Sequence, residues 1–62
     1  MIEVNRLNGE KIYLNSDLIE LIEETPNTII RMTNGNKYIV KEKGEEVIQK
    51  MINFRNNIKK FM

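Results

Sequence analysis

Through residues 1–43 apolar and polar positions alternate in short stretches separated by turn residues, the pattern of half-buried strands. In residues 28–41, TIIRMTNGNKYIVK, Asn34-Gly35 lies between two apolar runs. Asn and Gly accept the positive φ of a tight reversal, so the pair predicts a hairpin. A three-residue loop of Thr33, Asn34 and Gly35 gives Gly35 the left-handed position of a bulge. It sets Ile30, Met32, Tyr38 and Val40 on one face and Arg31 and Lys37 on the other. A two-residue turn would move Lys37 beside Ile30 and Met32, and burial favours the first register. Residues 2–14 repeat the device: a loop of Leu7, Asn8 and Gly9 pairs Val4 with Ile12, Ile2 with Leu14, and Arg6 with Glu10.

Asn15, Ser16 and Asp17 carry turn chemistry. The stretch after them is ambiguous. Leu18, Ile19, Leu21 and Ile22 fit a helical stripe, with Asp17 and Glu20 at capping-box spacing. The segment is short, however, and Thr25-Pro26 ends it, since the residue before Pro is pushed toward extended geometry. A strand preceded by one helical turn, pairing with Thr28–Thr33 across Pro26-Asn27, is the expected form. Residues 45–61 predict a helix, because Val47, Met51, Phe54, Ile58 and Phe61 form a continuous apolar stripe. Glu45 and Glu46 stand in its first turn and Lys59 and Lys60 in its last, as the helix dipole prefers. Gly44 is the entry point. Ile48 and Ile52 lie off the stripe and widen the apolar face, either half-sunk in the core or against a second chain. The expected fold is α+β: a five-stranded, mainly antiparallel curled sheet, SH3-like or barrel-like, with a C-terminal amphipathic helix, all in one domain.

A chain of 62 residues is near the lower limit for unaided folding. A domain of this size buries only about 60% of the surface its unfolded chain exposes. With no Cys and no His, disulfides and common metal staples are excluded, leaving tight helix-on-sheet packing or a homo-oligomer. The N-terminal MIEVNRLNGE lacks the layout of a signal peptide, and no unbroken apolar run exceeds three residues, the length of Ile12–Leu14, so a cytoplasmic protein without a membrane span is expected. The net charge of +1 gives no overall pull toward nucleic acid. Charge is nonetheless polarised: Asp17, Glu20, Glu23 and Glu24 cluster in one stretch, and Lys50, Arg55, Lys59 and Lys60 in another.

The chain offers little to a catalyst. Without His there is no near-neutral acid or base, and without Cys no thiolate. Ser16 is the sole Ser and has no base nearby in sequence; Glu23-Glu24 and Glu45-Glu46 are adjacent pairs that do not face each other. No enzyme activity, cofactor or metal is expected. A single-strand-binding hairpin face would use Tyr13, Tyr38, Arg31 and Lys37, but the register sets Tyr38 on the face opposite the two cations. Membrane-surface binding through Phe54, Phe61, Met62, Lys59 and Lys60 competes with core packing for the same residues.

Three stretches together, MIEVNRLNGEKIYLN, DLIELIEETPNTIIRMTNG and KYIVKE, resemble the small flagellar FlbD-type family, whose members include the swarming motility protein SwrD. The most specific parts are Arg6-Leu7-Asn8-Gly9, Ile22–Thr28 and Asn34-Gly35. Asn27 stands where the family more often carries Asp, and Ser16 where Pro is common. The resemblance implies a cytoplasmic bacterial protein, peripheral at the flagellar base, that supports swarming by helping stator units deliver power to the motor. It implies flagellar motor or stator components as partners, reached directly or indirectly, and no catalytic residues or cofactor. The alternative is a small RNA- or DNA-binding regulator of motility genes. Charge polarity and excess apolar width nominate two partner surfaces: the acidic strand of Glu20, Glu23 and Glu24, and the helix flank of Ile48, Ile52, Arg55 and Lys59.

Overall fold

The computed structural model describes the backbone of residues 1–60 and the side chains of residues 1–56. Five strands precede one helix: β1 (Ile2–Asn5), β2 (Lys11–Leu14), β3 (Ile19–Glu24), β4 (Thr28–Met32), β5 (Lys37–Val40) and α1 (Gly44–Lys60). All strand pairs are antiparallel. The predicted helical turn is a 3₁₀ turn, Ser16–Leu18, and the stretch after it is a strand, as expected. It is Asn15 and not Asp17 that caps the turn, its side chain accepting from the Asp17 N–H at 3.0 Å. The helix begins at Gly44, and Ile58 and Phe61 of the predicted stripe lie outside the described side chains.

Both hairpins use the expected three-residue loop. Met32 N–H donates to the Asn36 carbonyl at 2.8 Å and Gly35 N–H to the Met32 carbonyl at 2.9 Å, with Gly35 at φ 92°. Arg6, Glu10 and Gly9 repeat these bonds at 2.8 and 2.9 Å, with Gly9 at φ 93°. In each loop the Asn before Gly accepts the N–H two residues on, Glu10 to Asn8 and Asn36 to Asn34. That bond is why Asn precedes Gly twice. The pairs Ile2–Leu14, Val4–Ile12 and Ile30–Tyr38 follow.

The β3–β4 pair holds an irregularity that explains the ambiguous sequence. Ile19 is opposite Met32 and Leu21 opposite Arg31, so Glu20 is an extra residue, a β-bulge. A regular strand returns a side chain to the same face after two positions. With the bulge, Ile19 and Ile22 both pack on the core despite a spacing of three. A three-residue spacing is also what a helix produces.

The strands do not form one curled sheet. They make a two-stranded sheet, β1-β2, and a three-stranded sheet, β3-β4-β5, and neither closes into a barrel. The seam is crossed where β1 ends: Arg6 bridges Val40, Leu7 N–H reaches the Ile39 carbonyl at 3.2 Å, and Lys41 N–H reaches the Asn5 carbonyl at 2.8 Å. Beyond the seam, α1 packs against both β1 and β3 and covers the open side in place of strand-to-strand closure. Ile2, Val4, Leu14, Ile30, Met32, Val40 and Val47 make the core, drawn from both sheets and the helix. Val4, Ile30 and Val47 have no exposed surface, and full burial of such side chains stabilises by about 1.5–3 kcal/mol each.

Candidate interaction groove

The five-residue set Ile48, Met51, Ile52, Arg55 and Asn56 recurs at the spacing of one helical face. That face does not close onto the sheet. Val47 and Phe54, on the adjoining face, reach the core, and Met51 stands at the boundary. Ile48 and Ile52 remain 49% and 47% exposed, so the widening of the helix is not absorbed by the core. Opposite them runs β3, whose Ile19, Glu20, Leu21 and Ile22 make the second wall, with Ser16 at one end. Between the walls lies a groove of about 510 Å³.

Charge frames the groove without filling it. Glu20 Oε1 approaches Arg31 Nε at 3.2 Å, across the bulge. The approach is off hydrogen-bond alignment, so the buried Nε–H gains a counter-charge and no bonded acceptor. Arg55 Nη2 is 3.5 Å from Asp17 Oδ1, but both side chains are more than two-thirds exposed, where such a pair contributes little. Glu24 lies over the start of α1: a Cβ added at Gly44 would sit 2.6 Å from its Oε1, which places a carboxylate where the helix dipole favours one.

The two surfaces nominated by the sequence meet only in part. Glu20 from the acidic strand and Ile48, Ile52 and Arg55 from the helix flank face each other across the groove. Glu23 and Glu24 lie further along β3, outside its lining, and the Lys59 side chain is outside the described residues. Sequence reasoning did not assign Ile19, Leu21 and Ile22 to the site. Their arrangement depends on the bulge, whose one visible sign was an acidic residue inside an otherwise apolar quartet.

A second, smaller hollow of about 290 Å³ lies among Arg6, Leu7, Asn8, Lys37 and Ile39. Its Arg6 is occupied, with a 3.2 Å ion pair to Glu10 and its guanidinium 5.9 Å from the Tyr38 ring centroid. The nucleic-acid set is not brought together. Tyr38 packs on the core, Arg31 pairs with Glu20, and Tyr13 stands on the other sheet. Phe54 likewise packs against the core, while Phe61 and Met62 of the membrane-surface reading lie outside the described residues. Among the described residues no three Asp or Glu side chains converge as a metal site, and no helix is long and apolar enough to cross a membrane.

The chain is thus a small two-sheet α+β module with a mainly apolar groove between β3 and α1. The chain matches, over residues 1–59, the family described as FlbD, flagellar and swarming motility proteins, and it belongs to that family. No curated protein and no solved structure matches it.

Proposed function

We propose that this protein is a non-enzymatic accessory protein of the flagellum that supports swarming by helping stator units power the motor. It acts through protein–protein contacts from the cytoplasmic side, at the base of the flagellum, as the SwrD-like members of its family are expected to do. Family membership over residues 1–59 carries the flagellar part of this reading. The exposed Ile48 and Ile52 in a groove of about 510 Å³ support a function in contact, since an apolar patch framed by charge is the usual form of an interaction surface.

The test is motility under load in a deletion strain, with flagella counted in the same cells. Normal flagellar number with weak propulsion is the expected result. Too few flagella would move the function to assembly or gene expression, and normal number with normal propulsion would overturn the reading.

A further inference from the structure

We propose that the groove takes an extended segment of a partner protein as an added β-strand on the free edge of β3, the segment alternating apolar and basic side chains. The proposal deepens the reading above and rests on the groove as its contact surface.

The edge is open. β3 is the outer strand in the order β3-β4-β5, and among the described residues nothing pairs with its other side. Alternation shows which groups it presents. Met32 N–H bonds toward β5, so Met32, Ile30 and Thr28 serve β5 while Arg31 and Ile29 serve β3. Their partners Leu21 and Glu23 therefore bond inward, and Ile22 and Glu24 turn their N–H and C=O groups outward. The groove is at that edge and not on either face. Successive side chains of a strand point to opposite faces, so a hollow lined by Ile19, Glu20, Leu21 and Ile22 together must run along the backbone. Those positions span about 10 Å at a strand's rise of ~3.4 Å per residue, enough for a three- or four-residue stretch of a partner.

Strand addition draws affinity from main-chain bonds and specificity from alternate side chains. On the inner side the added residues would meet Ile48, Met51 and Ile52, which calls for apolar groups. On the outer side they would lie beside Leu21 and Glu23. Glu20 has Arg31, but Glu23 has no ion pair among the described residues, which calls for Lys or Arg on that side. The acids of β3 also count against a second copy as the occupant. Antiparallel pairing of two β3 strands about Glu23 would put Glu23 opposite itself, and pairing about Glu24 would put Glu24 opposite itself, and like charges directly opposite destabilise a ladder.

The probe is an acetylated, amidated hexapeptide of alternating Val and Lys, titrated into the full chain with backbone amides followed by NMR. Saturable shifts centred on Ile22 and Glu24 are expected, with at least tenfold weaker binding for the Val–Glu peptide and for Ile52→Asp. A strand on one edge uses alternate N–H groups. Methylating one alternate set of peptide nitrogens should therefore abolish binding, and methylating the other set should not. Equal binding by both methylated peptides, shifts confined to α1, or no saturation by millimolar peptide would overturn strand addition. So would a dimer of the free protein with the Ile22 and Glu24 amides already protected, which would make a second copy the occupant. If peptides fail while deletion still weakens propulsion, strand addition falls and the flagellar function stands; binding with normal propulsion gives the reverse.

Discussion

Glu42 holds Asn5 across a sequence separation of 37: its carboxylate accepts the Asn5 N–H at 2.9 and 3.1 Å and the Asn5 side-chain amide at 2.8 Å. Asn5 is the last residue of β1, where the seam between the sheets begins, and its carbonyl accepts from Lys41 on the same segment. One carboxylate thus replaces the strand pairing that the open seam leaves out. Burial pushes the Glu42 carboxyl up, but the Asn5 and Glu42 backbone N–H groups, the Asn5 amide and the Lys50 charge outweigh it and hold the carboxyl below its ordinary value. The side chain is 9% exposed, covered by these local partners at the molecular edge, where ionisation remains favoured.

Glu42→Gln should therefore destabilise the fold by about 1.5–3 kcal/mol, the range for hydrogen bonds to a charged group. A carboxyl whose folded pKa is lowered stabilises the protein fully above its unfolded pKa, near 4.5, and loses that contribution as pH falls through the folded value. Urea unfolding at several pH values should show a constant gap between the two proteins from pH 7 to about 5, narrowing below 4.5. A gap that widens on acidification would refute the clamp.

The hairpins were legible because their determinants are local. Asn8-Gly9 and Asn34-Gly35 fix the loop, and Val4, Ile12, Ile30 and Tyr38 then have one register that buries them. Leu18–Ile22 was only partly legible, since a bulge and a helix give the same three-residue spacing. The split into two sheets was not legible at all. It depends on where α1 lies across β1 and β3 and on Glu42 reaching Asn5, contacts that no short-range pattern encodes. The groove followed the same division. Ile48 and Ile52 stood out by sequence, but that they face Glu20 is a consequence of tertiary placement.

Gly9 and Gly35 sit at φ 93° and 92°, and a Cβ at either would meet nothing within 4 Å. Gly9→Ala and Gly35→Ala should each cost about 1–2 kcal/mol from backbone strain alone. At Gly44 φ is not positive, and the 2.6 Å approach is to the far end of the flexible Glu24 side chain, which can turn aside. Gly44→Ala should leave stability unchanged or raise it by up to about 1 kcal/mol through helix propensity. Thermal melts of the three variants test the contrast; a loss at Gly44 equal to that at Gly35 would contradict it.

Deleting Glu20 should be tolerated where adding a residue to β3 is not, because the strand already holds one residue more than the stretch of β4 it pairs with. Without Glu20 the strand becomes regular, and Ile19 and Ile22, now two apart, still share the core face. The loss is the counter-charge of Arg31, at under about 1 kcal/mol, since both side chains are nearly half exposed and the Nε–H has no bonded acceptor to lose. Inserting a residue between Ile22 and Glu23 has no such slack: Ile22 moves opposite Arg31, and the apolar set before it slips by one position and turns outward. Dispersed amide NMR spectra are expected for the deletion and collapse for the insertion.

Neighbouring positions on α1 should separate folding from function. Val47 is fully buried, so Val47→Ala should cost about 1.5–3 kcal/mol and reduce motility only as far as it lowers the amount of folded protein. Ile52 is 47% exposed and faces the groove, so Ile52→Asp should cost under about 1 kcal/mol, mostly helix propensity. If the groove is the contact surface, a strain carrying Ile52→Asp at normal protein level should propel itself as weakly as the deletion. Paired measurements of protein abundance and propulsion under load decide the matter: full propulsion with Ile52→Asp would remove the groove from the function, whatever the effect of Val47→Ala.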